Sequence, residues 1–198
     1  MIRSFLAAWL LALGLFIGQN PAQAEGAAPS ALTNPLTRLG PTDAAVTITV
    51  FTDYQCPHCK ALHGLMKRAL GDNPDVQIVY RQWPILGDIS VDRARLAIAA
   101  SLIRKYPEVD AVLYDVPRGA PASEMDAALQ AAGIDVAALK AKARSEAAAI
   151  DGQIAETYAL ASSLELQGTP AFIVGNRLVR GEVDYGALLA LIAQARAK

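Results

Sequence analysis

The sequence has little cysteine, glycine and proline, and almost no net charge. Its 198 residues include 2 Cys, 14 Gly and 11 Pro. Two cysteines exclude a multiply cross-linked miniprotein, and so little glycine and proline excludes a fibrous chain. The 18 Lys and Arg nearly balance the 19 Asp and Glu, and no basic stripe indicates nucleic acid as a partner. The 53% of hydrophobic residues instead suit a folded core rather than a disordered chain.

The first 24 residues have the organisation of a secretory signal peptide. Arg3 supplies a short positive region, residues 5–17 are an apolar run without charge, and Ala22-Gln23-Ala24 has the small-x-small pattern of a cleavage site. This apolar run is well short of the roughly 20 residues that cross a bilayer as a helix, which argues against an uncleaved anchor. We therefore expect cleavage near Ala24 and export to a compartment in which disulfides persist.

The chain then shows an α/β pattern. Residues 25–45 are expected to form a tail with a short strand near 37–39. β-Branched residues predict strands at 46–51 and 76–80, and apolar residues at helical spacing predict a helix at 57–70 between them. Two strands that flank a helix form a βαβ unit.

The middle of the chain is rich in alanine and has a helical pattern. Helices are predicted at 91–106, 125–132 and 136–160. This stretch indicates a helical insertion, because the α/β pattern resumes after it. Strands are predicted at 171–174 and 178–179 with a hairpin between them, and the last helix is predicted at 185–195.

The chemistry of the chain centres on Cys56-Pro57-His58-Cys59, where a predicted strand ends and a helix begins. Pro57 suits the first helical turn, which places Cys56 at the N-cap. The free N–H groups and the positive end of the helix dipole stabilise a thiolate there, so the pKa of Cys56 should lie below the free value of about 8.5. His58 acts in the same direction. Cys59, one turn further, is expected to be buried and to attack the mixed disulfide.

Two other uses of the cysteines remain open. A C-x-x-C pair also occurs in zinc sites, and Cys56, Cys59 and His63 form a conceivable ligand set for zinc or, through soft thiolates, for copper(I). An inert disulfide is the second alternative, although a four-residue loop closes little chain entropy. A structural zinc site needs a fourth protein ligand, so redox chemistry is favoured, with no metal and no cofactor. His63 itself is expected to be an ordinary exposed helix residue.

Two segments more than a hundred residues apart, 51–60 around the cysteines and Gly168-Thr169-Pro170-Ala171-Phe172, resemble the DsbA-like thiol–disulfide oxidoreductases of the bacterial envelope. The resemblance extends over residues 36–196. It implies an α/β fold, the thioredoxin fold with an inserted helical subdomain. It also implies that Pro170 follows a cis peptide bond and lies against the cysteine pair.

The resemblance implies an enzyme, a periplasmic protein dithiol–disulfide oxidoreductase. Cys56 and Cys59 would be catalytic, Pro57 and His58 would modulate the pair, and Thr169 with Pro170 would bind the substrate backbone. The expected partners are cysteine-containing exported proteins and a membrane or soluble redox partner that resets the pair, and a monomer is expected. The expected segments are a signal peptide at 1–24, a tail at 25–45, a thioredoxin-like domain at 46–88 and 161–198, and a helical insertion at 89–160.

Two departures from the family pattern bear on the direction of electron transfer. Val50 stands where many relatives have a buried glutamate, so a carboxylate that helps to deprotonate Cys59 must come from elsewhere, such as Asp53, or water must serve. Thr169 stands where the archetypal DsbA oxidase has valine, and it is shared with disulfide isomerases and copper-tolerance-linked relatives. His58 favours an oxidant, whereas Thr169 leaves isomerase or reductase activity open.

Overall fold

A computed structural model describes residues 37–197, so the expected signal peptide and most of the expected tail lie outside the described residues. The described chain contains a mixed five-stranded sheet and seven helices. The strands are β1 Arg38–Leu39, β2 Val46–Thr52, β3 Val76–Gln82, β4 Ala171–Val174 and β5 Arg177–Arg180. The helices are α1 Pro57–Asp72, α2 Asp88–Leu102, α3 Tyr106–Asp115, α4 Ala122–Ala131, α5 Val136–Ser145, α6 Ala147–Ser163 and α7 Tyr185–Arg196. Over this range, no helix combines the length and apolar character that a bilayer crossing requires.

The sheet has the strand order β1-β3-β2-β4-β5. β2 and β3 are parallel and are connected by α1, whereas β1, β4 and β5 pair with their neighbours in antiparallel fashion. Five helices, α2 to α6, lie between β3 and β4 in the chain. Because β2 is the central strand, the residues that follow its carboxyl end start from a fixed, buried position.

The two faces of the sheet pack into separate apolar clusters. Along β2, Val46, Ile48 and Val50 belong to the larger cluster, and Phe51 belongs to the smaller one, as the alternation of side chains along a strand requires. The larger cluster continues into α1, α7 and the inserted helices. The smaller cluster consists of Phe51, Trp83, Leu160, Ala161, Leu166, Ala171 and Ile173.

Most predicted elements are confirmed within a few residues, including the short strand near residue 38 and the terminal hairpin. In the hairpin Val174 pairs with Arg177, and Gly175 has a φ of 59°, the left-handed conformation that a two-residue loop favours.

Two long helices predicted from the sequence are wrong in length, because each predicted range contains a break between two helices. The helix predicted at 91–106 ends at Leu102, and Arg104 has a φ of 59° before α3 begins with Pro107 in its first turn. α3 was not among the helices predicted from the sequence. The helix predicted at 136–160 consists of α5 and α6, which are separated at Glu146. Helix-forming residues occupy both sides of that break, so the local pattern gave no sign of it.

Candidate active site

The segment Cys56-Pro57-His58-Cys59 lies at the junction between the central strand and α1. Cys56 is the N-cap residue with extended backbone angles, φ −88° and ψ 119°, and Pro57 occupies the first turn. The Cys56 N–H donates to the Asp53 carbonyl at 3.0 Å, and the Lys60 N–H donates to the Cys56 carbonyl at 3.2 Å. These bonds hold Cys56 at the helix N-terminus, as the sequence predicts.

The two cysteines are free thiols with opposite electrostatic properties. The hydrogen bond from the Cys59 thiol lowers the pKa of Cys56 to about 5, against the opposing effect of burial. The Thr169 side chain and the backbone N–H groups of His58 and Cys59 act in the same direction as the Cys59 thiol. The pKa of Cys59 is raised, first by its hydrogen bond to Cys56 and second by burial. A single negative charge is therefore placed on Cys56.

The Thr169-Pro170 segment lies beside Cys56, as expected from the resemblance. The peptide bond between Thr169 and Pro170 is cis, which confirms the expectation. The Cys56 thiol donates to the Thr169 carbonyl with an Sγ–O distance of 3.4 Å, across 113 residues of sequence. Pro170 is buried and its carbonyl accepts the Gly181 N–H at 2.9 Å, which ties this segment to the end of β5.

His58 is exposed and has a partner that was not predicted from the sequence. Its Nδ1 lies 2.9 Å from Oε1 of Glu182, in the loop that follows β5. The side chains are 70% and 42% exposed, so solvent screens the pair and its contribution to stability is small. Only tertiary structure brings the two residues together, since 124 positions separate them.

The carboxylate of Asp53 does not serve Cys59, contrary to one suggestion of the sequence. It accepts hydrogen bonds from the Gln55, Ile85 and Leu86 N–H groups and the Ser90 hydroxyl, at 2.7, 2.8, 3.0 and 2.7 Å. These contacts fix the loop between β3 and α2 to the end of β2. It is the backbone of Asp53 that hydrogen-bonds to Cys59.

His63 is buried, so the expectation of an exposed residue is wrong. It shares the buried face of α1 with Cys59, Leu62 and Met66, at the spacing of one helix face. Its Nδ1 lies 3.1 Å from the Tyr80 hydroxyl, and its Nε2 faces a carboxylate, so neither nitrogen faces the cysteines. Among residues 37–197, no three His, Cys, Asp or Glu side chains are grouped closely enough to hold a metal ion.

The carboxylate that faces His63 is that of Asp110, a buried residue of α3. Its Oδ1 accepts hydrogen bonds from the Tyr54 and Tyr106 hydroxyls at 2.7 and 3.0 Å, and its Oδ2 lies 3.6 Å from His63 Nε2. Burial raises the pKa of Asp110 to about 7, although the two tyrosines oppose the shift. Burial and Lys67 lower the pKa of His63 to about 4.

The sequence offered no sign of Asp110, because α3 itself was not predicted. His63 was detectable, since its spacing from Cys59 and Met66 places it on the apolar face of α1.

Comparison with protein families identifies relatives over nearly all of the described chain. Residues 47–193 match the sequence model of the family described as DSBA-like thioredoxin domain. Curated relatives include the Na(+)/H(+) antiporter NhaA 1 of Mycolicibacterium gilvum, which is 25% identical over 162 residues, or 79% of this chain. The chain spans only 26% of the length of that relative.

Solved structures give a similar result. A thioredoxin-like oxidoreductase from Silicibacter pomeroyi DSS-3 is 32% identical over 87% of this chain and 99% of its own, with a TM-score of 0.79. The thiol-disulfide exchange protein alpha-DsbA2 from Wolbachia pipientis is 28% identical over 82% of this chain and 87% of its own, with a TM-score of 0.74. A periplasmic thioredoxin-like protein from Salmonella enterica serovar Typhimurium is 26% identical over 85% of this chain and 95% of its own, with a TM-score of 0.71.

Proposed function

The chain belongs to the DSBA-like thioredoxin family of thiol–disulfide oxidoreductases, and we propose that it oxidises exported proteins through Cys56 and Cys59. The observation that supports this proposal is the contrast between the two thiols. The pKa of Cys56 is lowered to about 5 at the helix N-terminus, while the pKa of the more deeply buried Cys59 is raised. A stabilised Cys56 thiolate favours the reduced form of the protein, which makes its disulfide oxidising.

The proposed reaction begins with the Cys56–Cys59 disulfide. A substrate thiolate attacks Cys56 Sγ, the bond between the two cysteines breaks, and Cys59 leaves with the electron pair and takes up a proton. The substrate's second thiolate then attacks the substrate sulfur of the mixed disulfide and releases Cys56 as a thiolate. Two electrons pass from the substrate dithiol to the cysteine pair, and the low pKa of Cys56 makes it the better leaving group.

The expected size of the effect follows from the pKa of Cys56. A thiol that titrates near 5 rather than 9.0 favours the reduced form at pH 7 by about 100-fold. At 29.6 mV for each factor of ten, this raises the reduction potential by about 60 mV.

The neighbours of Cys56 have proposed roles in the same reaction. The backbone of Thr169, beside Pro170, would pair with an extended substrate chain and hold its sulfur against Cys56, because the Thr169 carbonyl lies 3.4 Å from Cys56 Sγ. Pro57 presets the first turn of the helix, and His58 adds a donor near the thiolate.

Isomerase or reductase activity is the second candidate, because Thr169 resembles the residue that disulfide isomerases have at this position. The Thr169 side chain also lowers the pKa of Cys56, an effect that valine would not have and that by itself favours an oxidising disulfide. A metal-handling role has weaker support, because both nitrogens of His63 face other partners.

The location and the partners follow from the same proposal. We propose that residues 1–24 direct export to the periplasm, where the monomeric protein acts on cysteine-containing proteins and a membrane or soluble partner reoxidises it. A thioredoxin-like domain at 46–88 and 161–198 would carry the site, and residues 89–160 would form a helical insertion in it.

The test uses the chain from Glu25 onward and the variants Cys56→Ala and Cys59→Ala. In Cys59→Ala the Cys56 thiolate can attack a substrate disulfide, but Cys59 is not there to resolve the product, so this variant should accumulate mixed disulfides with disulfide-containing substrate proteins, and Cys56→Ala should form none. The potential measured against glutathione should lie close to −120 mV, the value typical of a DsbA oxidant. A value close to −270 mV would instead assign a reductant, and accumulation in Cys56→Ala alone would reverse the two roles.

A further inference from the structure

A buried acid–histidine pair behind Cys59 takes no part in the exchange reaction described above. We propose that Asp110, paired with His63, exchanges a proton in step with the redox state of the cysteines. It takes up a proton when the cysteine pair is reduced and releases it when the pair is reoxidised. This inference rests on the proposed redox role of Cys56 and Cys59, and it adds a positioning and charge-balancing role for a residue of the helical insertion.

Short steps connect the pair to the cysteines. Cys59 and His63 are one turn apart on the buried face of α1, a spacing of about 5–6 Å between Cβ atoms. The Tyr114 ring stacks on His63 with centroids 4.2 Å apart, and its hydroxyl lies 2.6 Å from Thr52 Oγ1. The Thr52 side chain in turn hydrogen-bonds to Cys59. The coupling that we infer is electrostatic and acts through this dry, tightly packed region.

The hydrogen bonds of the pair leave one position free to gain or lose a proton. Asp110 Oδ1 accepts hydrogen bonds from the Tyr54 and Tyr106 hydroxyls, whereas Oδ2 lies 3.6 Å from His63 Nε2 and has no hydrogen bond to another residue of the described range 37–197. With Asp110 ionised, the N–H of neutral His63 points to Oδ2 and Nδ1 accepts the Tyr80 hydroxyl. With Asp110 protonated, Oδ2–H points to Nε2 and Nδ1–H points to the Tyr80 hydroxyl. The Oδ2–Nε2 contact of 3.6 Å is longer than a hydrogen bond in either state, so gain or loss of the proton changes the tautomer of His63 and leaves the two hydrogen bonds to Oδ1 in place.

The charged surroundings favour proton exchange near neutral pH. Burial raises the pKa of Asp110 to about 7, and the Lys67 ammonium opposes this shift. His63 stays neutral there, because burial and Lys67 lower its pKa to about 4. The titratable or charged groups that face the pair are Lys67 of α1, Tyr54 before α1, Tyr80 of β3, and Tyr106, Tyr114 and Asp115 of α3.

A cleft between α1 and α3 leads from solvent to His63. Its volume is about 230 Å³, and it is lined by Lys60, His63, Lys67, Tyr114 and Asp115 among others. Asp110 is buried and does not line the cleft, so a proton would reach it from this side through His63, without passing the surface at which Cys56 meets its substrate.

The proton balance explains why such a group matters. Oxidation of a substrate dithiol delivers two electrons and two protons. Cys59 takes one proton, but Cys56 remains a thiolate at neutral pH because of its low pKa, so a negative charge appears in the site. Asp110 can take the second proton and cancel that charge. When another disulfide reoxidises the pair, the charge on Cys56 disappears and Asp110 returns its proton to solvent.

The test is the titration of the Asp110 carboxyl carbon by NMR, in the oxidised and in the reduced wild-type protein. Proton binding to Asp110 should be tighter in the reduced protein, and about tenfold is the effect of two like unit charges about 12 Å apart at an effective dielectric constant of about 20. Linkage requires the reciprocal effect on the cysteines. The glutathione equilibrium constants of wild type and Asp110→Asn should agree near pH 5 and differ by about tenfold near pH 8.5. The variant should be the stronger oxidant at the higher pH, because asparagine remains neutral there.

Glu108→Gln is the matched control, since it removes an exposed carboxylate of the same helix. It should follow the wild type at every pH. Identical Asp110 titrations in the two redox states would overturn the inference, and this measurement decides the matter even if Asp110→Asn does not fold. If the protein does not exchange disulfides with glutathione, both the proposed function and this inference are refuted. If it does exchange but the titration of Asp110 is the same in both redox states, this inference alone is refuted.

Discussion

The two sides of the cysteine pair differ in how they are built. On the outer side, Cys56 is activated mainly by groups close to it in sequence, with a contribution from Thr169, and the exposed His58 makes one solvent-screened contact. On the inner side, Cys59 lies against a dry cluster of hydroxyl, imidazole and carboxyl groups centred on Asp110 and His63. The outer side is built mainly from one strand–helix junction, whereas the inner side draws on β2, α1, β3 and α3.

The difference has a consequence for energetics. Interactions on the inner side are strong and mutually dependent, because a buried polar group that loses its partner keeps its full desolvation penalty. Contacts on the outer side are weak apart from the helix N-terminus itself, because water and salt compete for them. We therefore expect changes on the inner side to alter stability and pH dependence, and changes on the outer side to alter reactivity.

The largest expected effect separates the two cysteines themselves. In the reduced protein at pH 6.5, Cys56 should react with iodoacetamide at least 100-fold faster than Cys59, because only Cys56 is ionised. Its rate should fall to half of the plateau close to pH 5. Mass spectrometry of peptides at successive times gives both rates. Comparable rates for the two cysteines would remove the distinction between the sides.

A second prediction concerns the pH dependence of stability, to which the inner pair contributes two opposing effects. The pKa of Asp110 is raised from 3.8 to about 7 on folding. Its contribution to the free energy of unfolding is therefore fully present below pH 3.8 and is lost as the pH rises to 7. The pKa of His63 is lowered from 6.5 to about 4, so folding is penalised below pH 6.5, increasingly as the pH falls to 4. Between pH 4 and 6.5 the pair holds one proton in both the folded and the unfolded chain. These two contributions should therefore cancel.

Single substitutions should reveal each contribution. In Asp110→Asn the free energy of unfolding should rise with pH by about 1.4 kcal/mol per unit between pH 4 and 6.5. In His63→Gln it should fall with pH by a similar amount over the same range. Urea denaturation at a series of pH values, with Glu108→Gln as control, gives these slopes relative to wild type. Parallel curves for all four proteins would show that the pair does not titrate as a unit.

The same contrast explains which parts of the protein could be predicted from the sequence. The cysteine pair, the N-cap position of Cys56 and the strand before it follow from neighbouring residues, and a pattern at residues 168–172 was enough to expect the cis bond before Pro170. His63 was misjudged although the helical period of α1 places it on the buried face. Asp110 was missed, since it meets His63 only through α3, and α3 follows a turn in which the left-handed residue is Arg104 rather than glycine.

A third, smaller effect is expected for Thr52→Val at the boundary between the two sides. The change leaves the buried Tyr114 hydroxyl without its partner at 2.6 Å, at a cost of about 1–3 kcal/mol in unfolding free energy. It also removes a hydrogen bond that lowers the pKa of Cys59, so mixed disulfides should persist about tenfold longer. Thr49→Val, buried on the opposite face of β2, is the control and should leave mixed-disulfide lifetimes unchanged. Equal lifetimes in the two variants would assign Thr52 a purely structural role.

The smallest effect is expected for Glu182→Gln on the outer side. Glutamine can still accept a hydrogen bond from His58 at the position of Oε1, so the substitution removes the charge and preserves the contact. Because both side chains are largely exposed, stability should change by less than about 0.5 kcal/mol. The glutathione equilibrium constant should shift by no more than about threefold toward the reduced protein, since a negative charge near the Cys56 thiolate has been removed. That shift should vanish at about 1 M salt, where the screening length is about 3 Å. A shift that persisted in high salt would show that Glu182 and His58 interact strongly with the Cys56 thiolate. Strong interactions would then no longer be confined to the inner side of the cysteine pair.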